Sequence, residues 1–104
     1  MVNNIILPEE LIDWINQGKK FQIIDITLDN LLKDLKIKSK WIPVHELIDH
    51  ISELDRDIPL ILSCRVGADS FVMMNILSTQ YQMNNVISLK SGFIGLEKLI
   101  EKQA

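Results

Sequence analysis

Cysteine is nearly absent from this chain: its 104 residues include a single one, Cys64. One cysteine cannot form a disulfide within the chain, which is typical of a protein kept in a reducing compartment. Pro8, Glu9 and Glu10 also interrupt the apolar start of the sequence, where a signal peptide would need a continuous hydrophobic segment. We therefore expect a cytoplasmic protein.

Long apolar runs, an excess of positive charge and clustered metal ligands are missing as well. No segment approaches the roughly 18 apolar residues that span a bilayer, so no membrane partner is expected. The formal net charge is −3 at pH 7, whereas a nucleic-acid-binding protein usually carries a basic patch, so no nucleic-acid partner is expected either. His45 and His50 do not have the usual ligand spacing on a helix, and with one cysteine they predict neither a metal site nor a cofactor.

Glycine and proline are scarce too, with four and three residues, and no repeat or low-complexity segment divides the chain. Hydrophobic residues make up 47% of the sequence and charged residues 24%, which is enough for an ordinary core. We therefore expect residues 1–104 to form one domain.

Short apolar runs alternate with stretches of helical periodicity along the chain. The apolar runs predict strands, at residues 3–7, 21–26, 41–42, 60–63 and 86–89. The periodic stretches predict helices, at residues 8–15, 28–35, 45–54, 70–81 and 93–102. This alternation is typical of an α/β fold in which helices cover both faces of a parallel sheet.

Cys64 directly follows one predicted strand and precedes a turn and a helix. At that position the sulfur would face unpaired backbone N–H groups and the positive end of the helix dipole, and Arg65 adds a cation. These features favour the thiolate, which is the reactive form. The alternative is a buried cysteine that acts as a small hydrophobic residue, the commoner role for a lone cysteine. Its position after the apolar run, beside Arg65 and Gly67, favours the reactive cysteine.

Asp25 falls at the end of another predicted strand. Ligands of parallel sheets bind beyond the carboxyl ends of the strands, so Asp25 and Cys64 are expected to share one edge. Two roles stay open for Asp25: an acid/base group, or an acceptor of hydrogen bonds from loop N–H groups that fixes the site. Lys90 is expected near the same edge, either as a source of positive potential for a donor or as an ordinary surface lysine.

The chain resembles the rhodanese-like domain family at five places that occur in the family's order. The most specific is similar to the family's active-site loop, Cys-Arg-x-Gly-x-x-Ser, and reads Cys64-Arg65-Val66-Gly67-Ala68-Asp69-Ser70. The other four resemble an opening helix, an Ile-Asp-Val strand end, an Ile-Pro-x-x-Glu-Leu segment and a Val-x-x-Leu-x-Gly-Gly turn, at residues 7–11, 23–26, 42–47 and 86–93. The resemblance implies a rhodanese-like three-layer α/β/α fold with a central parallel sheet.

The resemblance also implies a sulfurtransferase. Cys64 would take sulfane sulfur from a donor, thiosulfate or a persulfide on a sulfur-carrier protein, and would pass it as a persulfide to a thiophilic acceptor. Gly67 would allow the loop to curl through a positive φ, and successive backbone N–H groups would bind the anionic sulfur. The substrate-binding residues implied in this way are Arg65, Val66, Gly67, Ala68, Asp69 and Ser70, with Asp25 and Lys90 in supporting positions.

Asp69 is the departure from the family that bears most on function, because the family often has Arg at this place. A carboxylate aimed into the loop would oppose a thiolate and repel thiosulfate. Pointing outward, it would instead favour the N-terminus of the next helix. Because of such departures, a non-catalytic module that binds or regulates a partner protein stays open, as does a redox or persulfide sensor.

The related Cys-x5-Arg phosphatase function is disfavoured. The sixth residue after Cys64 is Ser70, so the guanidinium that would bind a phosphoryl group bidentately is missing from that position. A Cys64–His45 nucleophilic pair also stays open, beside the simpler interpretation of His45 as a surface residue.

Overall fold

The computed structural model describes residues 4–103, which form a five-stranded sheet with helices on both faces. The strands, in chain order, are β1 (Ile5–Ile6), β2 (Gln22–Asp25), β3 (Lys40–Trp41), β4 (Leu60–Ser63) and β5 (Val86–Leu89). The α-helices are α1 (Pro8–Asn16), α2 (Ala68–Gln80) and α3 (Gly92–Gln103). Short 3-10 segments lie at Leu31–Leu35, Val44–Glu46 and Ile48–Glu53. The strand predicted at 3–7 begins at Asn3, which lies outside the described residues.

The strands lie in the order β1-β5-β4-β2-β3, and every neighbouring pair is parallel. β4 is the middle strand, and all four of its residues are buried. A strand that is covered on both faces has a continuous apolar sequence, which is why the run at residues 60–63 predicted it correctly. The predicted α/β fold with a central parallel sheet is confirmed.

Each face of the sheet has its own hydrophobic core. Ile61 belongs to one buried cluster with Leu11 of α1 and Leu96 of α3. Its neighbour Leu62 belongs to the other cluster, with Leu77 of α2. Successive side chains of a strand point to opposite faces, so β4 contributes to both cores and joins the three layers.

Two of the predicted helices have a different type in the structure. The helix predicted at 28–35 is reduced to a 3-10 segment because Asn30, with a φ of 53°, interrupts the helical backbone. The helix predicted at 45–54 is made of 3-10 turns, whose hydrogen bonds include His50 N–H to the Leu47 carbonyl at 3.1 Å. Short 3-10 turns, which are common as connectors, join the strands at these places instead.

The helix after the cysteine loop begins at Ala68, two residues before the predicted start at 70. Gly67 is its N-cap, with a φ of 101°, so the chain turns into the helix immediately after the glycine. Among residues 4–103, no helix has both the length and the apolar character needed to cross a membrane.

Candidate active site

The carboxyl ends of β2 and β4 lie side by side. Asp25, the last residue of β2, pairs in register with Ser63, the last residue of β4, and Cys64 follows directly. Asp25 is fully buried, and Cys64 is 4% exposed. The structure therefore brings Asp25 and Cys64 to the same edge of the sheet, as expected for parallel strands.

The backbone of the loop between β4 and α2 holds the sulfur of Cys64. The N–H of Gly67 donates to Cys64 Sγ at 3.0 Å, and the N–H of Ser70 donates to it at 3.4 Å. The thiol also lies 3.4 Å from Ser70 Oγ. These amides belong to the N-cap and the first turn of α2, so the positive end of the helix dipole faces the sulfur. The sulfur therefore lies beside two backbone N–H donors, as the anion-binding turns of successive amides provide.

Gly67 has the positive φ expected of it, at 101°. A Cβ at this position would lie 3.0 Å from the backbone N of Ser91 and 3.4 Å from the carbonyl O of Leu89. The missing side chain thus lets the cysteine loop lie directly on the turn between β5 and α3. Both the backbone conformation and the available space favour glycine here.

The N-terminal turn of α3 holds the other side of the loop. The N–H of Phe93 donates to the Cys64 carbonyl at 2.8 Å, and the N–H of Ile94 donates to the Arg65 carbonyl at 3.0 Å. These are helix N–H groups that have no partner within their own helix. In a trans peptide the N–H points opposite to the preceding carbonyl, so the N–H groups of Arg65 and Val66 point away from α3.

Gly92 makes this contact possible. A Cβ on Gly92 would lie 2.3 Å from the Cys64 carbonyl O and 2.9 Å from the carbonyl atoms of Arg65, all of them backbone atoms. Its φ of 50° is also in the left-handed region. The preceding residue, Ser91, has a φ of 63° and so adopts the left-handed conformation as well.

Arg65 and Asp25 both contact the loop that follows β2. One guanidinium nitrogen of Arg65 lies 3.1 Å from Asp29 Oδ2, in an ion pair whose two side chains are exposed. Asp25 accepts hydrogen bonds from the N–H and hydroxyl of Thr27 at 2.9 and 2.7 Å. It also accepts one from the N–H of Leu32 at 2.9 Å. Asp25 therefore acts as a hydrogen-bond acceptor that holds this loop, and the loop in turn places Asp29 beside Arg65.

The remaining residues of the motif lie on the outer side of the loop. Val66 is 60% exposed, and Ala68 and Asp69 are exposed as well. Asp69 lies in the first turn of α2, where a carboxylate favours the positive helix end. This is the outward orientation of the two that the sequence left open.

Ser88 contacts Ser70, and the sequence pattern did not predict a role for it. Its hydroxyl lies 2.7 Å from Ser70 Oγ, and Ser70 donates to the Gly67 carbonyl at 3.2 Å. Ser88 is on β5 and is 2% exposed, so a chain of buried polar groups runs from Cys64 through Ser70 to β5. The only signal in the sequence is a hydroxyl within an otherwise apolar strand.

A cavity of about 580 Å³ lies beside the loop. Its lining includes Val66, Gly67, Ala68, Ser88 and Lys90. The structure thus brings Lys90, which is exposed, to the motif residues as expected. Cys64 itself is covered by its loop and does not line this cavity.

Histidine lies apart from these contacts. His45 is exposed, and its Nε2 lies 3.5 Å from a carboxylate oxygen of Glu46, not beside Cys64. Within the described part of the chain, no group of three or more His, Cys, Asp or Glu side chains is placed to hold a metal ion.

Comparison with known proteins finds similarity in structure rather than in sequence. No protein-family model and no curated protein matches the chain. A rhodanese-related protein from Thermoplasma volcanium has a TM-score of 0.75 at 20% identity, over 93% of each chain. A rhodanese-like domain from Anabaena has a TM-score of 0.79 at 16% identity, over 94% of this chain and 76% of that one.

A longer protein from Bacillus anthracis, CoADR-RHD, is similar over only part of its length. Its TM-score is 0.78 at 24% identity, and the match covers 95% of this chain and 17% of that one. At identities this low, structural similarity shows that the backbones follow the same path and does not show that the side chains share the same chemistry. These superpositions cover nearly all of this chain, and the chain therefore has the rhodanese-like fold.

Proposed function

We propose that the protein is a sulfurtransferase that carries sulfane sulfur on Cys64. The observation that supports this most directly is the pair of backbone N–H groups, from Gly67 and Ser70, that point at Cys64 Sγ from 3.0 and 3.4 Å. Both a thiolate and the terminal sulfur of a persulfide are anions that need hydrogen-bond donors. The positive end of α2 supports the same charge.

The proposed reaction has two displacements at sulfur. The Cys64 thiolate attacks the outer sulfur of thiosulfate, forming an S–S bond while the S–S bond of thiosulfate breaks and sulfite leaves with the electron pair. With a persulfide donor the leaving group is the donor's thiolate. In the second step the acceptor, cyanide or a thiolate, attacks the terminal sulfur and releases the Cys64 thiolate. No outside oxidant or reductant is consumed.

Arg65 is the side chain we assign to the oxyanion of the donor. It is 57% exposed, and its ion pair with Asp29 is on the surface. Exposed ion pairs of this kind contribute only about 0.2–1 kcal/mol, so an incoming anion can displace the Asp29 carboxylate. Lys90 adds positive charge at the cavity beside the loop. Because Asp69 is exposed, thiosulfate and a protein persulfide both stay in the proposal as donors.

One observation favours a second function, that of a non-catalytic module that binds a partner protein. Cys64 is 4% exposed and belongs to the same buried cluster as Leu62 and Met73. Beside it, Val66 and Val72 are 60% and 56% exposed, and both line the adjacent cavity. A partner that covered these valines would use the loop as a surface without any chemistry at the sulfur.

Intact-mass analysis separates the two functions. The protein is mixed with thiosulfate in one arm and with a low-molecular-weight persulfide in the other, and Cys64→Ser, which changes one atom, is the control. The proposal requires a gain of one sulfur atom that cyanide or a thiol removes and that the serine variant does not show. No gain from either donor, in folded protein with a free thiol, would instead support the binding module.

A further inference from the structure

A second cavity, of about 730 Å³, lies on the β3 side of β2, away from β4. Its lining shares no residue with the cysteine loop. It is present because β3 is too short to cover its neighbour. Its two residues pair with Ile24 and Asp25, so on this side of β2 no strand within residues 4–103 pairs with Gln22 and Ile23. The end of α1 and the segment 36–40 surround this uncovered edge of β2.

Lysine dominates the rim of this cavity. Five of the chain's eleven basic residues line it, and none of the described residues that line it is acidic. The five are Lys19, Lys20, Lys36, Lys38 and Lys40. The chain as a whole is acidic, with a net charge of −3, so this concentration of positive charge is local. A local cluster of one sign attracts a ligand of the opposite sign.

Most of this charge is not neutralised by the protein. Lys40 lies 3.1 Å from a carboxylate oxygen of Glu53, and the ammonium of Lys19 lies 3.7 Å from the centroid of the Trp14 ring. Within residues 4–103 no salt bridge joins the other three lysines of the rim to a carboxylate. Several like charges held close together repel one another, and an anion bound among them would remove that cost.

Lys36 adds a cost in the backbone. Its φ is 57°, in the left-handed region where a glycine or an asparagine is less strained. The backbone conformation does not favour a lysine at this position. Its presence at the rim of a basic cavity is therefore explained by its ammonium group.

The floor of the cavity is apolar. It includes Ile15, Phe21, Ile23 and Ile37. Three of these, Phe21, Ile23 and Ile37, lie in or against the core on the α1 side of the sheet, so the core supports the floor. The volume also falls within the roughly 300–1,000 Å³ of small-molecule sites. A simple inorganic anion would use the lysines and leave this floor bare.

We propose that this cavity binds a small molecule in which phosphate groups are attached to an apolar body. Lysine binds phosphate as a point charge, and several lysines match the several charges of a polyphosphate. The apolar body, an aromatic ring or a short hydrocarbon chain, covers the floor. The site is separate from Cys64, so it stands or falls independently of the sulfurtransferase proposal.

The test is a titration followed by backbone amide NMR, with ATP as the ring-bearing probe and geranyl diphosphate as the hydrocarbon probe. Adenosine carries the ring without charge, and tripolyphosphate carries the charge without an apolar body. The proposal requires that ATP or geranyl diphosphate binds more tightly than both partial probes, with shifts at residues 19–24 and 36–40. It also requires that the affinity falls as salt is added. Shifts elsewhere, no binding at millimolar probe, or equal binding of adenosine or tripolyphosphate would overturn it.

Charge reversal locates the site. In the variant Lys20→Glu/Lys38→Glu, two exposed rim lysines become acidic, and the affinity for the bound probe is expected to fall about tenfold or more. The matched control is Lys98→Glu/Lys102→Glu, which makes the same change in net charge at exposed positions of α3 outside the cavity lining. This control is expected to weaken binding less than about twofold at physiological salt, because these two charges lie outside the lining and salt screens exposed charges. Equal losses in the two variants would refute a site at the cavity.

Discussion

Replacing Gly92 with alanine tests whether α3 holds the cysteine loop in place. The added Cβ would lie 2.3 Å from the Cys64 carbonyl O, so the loop and the helix have to separate. Separation breaks the hydrogen bonds of 2.8 and 3.0 Å from Phe93 and Ile94, which contribute about 1 kcal/mol each. The left-handed φ of 50° costs an alanine about 1–2 kcal/mol more. We expect a total loss of about 3–4 kcal/mol in the free energy of unfolding.

The matched control is Gly18→Ala. Gly18 also has a positive φ, of 67°, but no atom of residues 4–103 lies within 4 Å of the Cβ that would be added. This variant therefore has the conformational strain alone, about 1–2 kcal/mol. Urea denaturation of the two variants gives the difference, expected to be about 2 kcal/mol in favour of Gly18→Ala.

The same pair of variants reports on the sulfur. Gly92→Ala displaces the Cys64 and Arg65 carbonyls and so shifts the backbone that leads into the loop around the sulfur, whereas Gly18 lies outside that loop. We expect sulfur loading by thiosulfate to fall severalfold only in the Gly92 variant, under conditions where both proteins are folded. Equal stability of the two variants, or equal loading, would refute the argument that α3 positions the loop.

Three further predictions concern single side chains. Asp69→Arg replaces an exposed carboxylate beside the cysteine loop with a cation, so thiosulfate loading, measured by intact mass, should rise severalfold at low salt and lose that gain at high salt. Ser88→Ala removes the 2.7 Å partner of Ser70 and should lower the free energy of unfolding by about 1 kcal/mol in urea; an unchanged midpoint would mean that this buried contact contributes nothing. The hydrogen bond from His50 lowers the pKa of Glu53, and the contact with Lys40 lowers it less. His50→Ala should therefore raise the pKa of Glu53 toward its ordinary value, which a carboxyl NMR titration measures. A lowered carboxyl pKa stabilises the fold at pH values above the unfolded-state pKa, and this stabilisation is lost as the pH falls through the folded-state pKa. The free energy of unfolding of His50→Ala should therefore decrease less over that pH range than that of the unmodified protein.

The strands that carry the site were predictable because their signal is local. The segments 60–63 and 86–89 are short apolar runs between turn residues, and both appear in the structure with those bounds. Their burial on both faces makes the pattern strong. The 3-10 segments were not predictable in type, since the choice between 3-10 and α turns depends on the strands that they connect and not on apolar spacing.

The candidate site divides in the same way. The placement of Cys64 and the positive φ of Gly67 follow from a strand, a turn and a helix that are adjacent in sequence. The contacts of Ser70 with Ser88 and of Phe93 with Cys64 join residues that are 18 or more positions apart, and no local pattern encodes them. The lysine-rich cavity was missed for the same reason, because its rim comes from segments that only the short β3 brings together.

The contact between α3 and the cysteine loop has a consequence for how the protein is made. The loop is synthesised before α3, and its Cys64 and Arg65 carbonyls have no helix to meet until the segment from Gly92 onward has left the ribosome. Chains are synthesised at about 5–20 residues per second, so a second or more passes between the synthesis of Cys64 and that of α3. During this time the cysteine loop lacks its contact with α3. A nascent chain is therefore expected to present the cysteine loop before α3 can hold its Cys64 and Arg65 carbonyls.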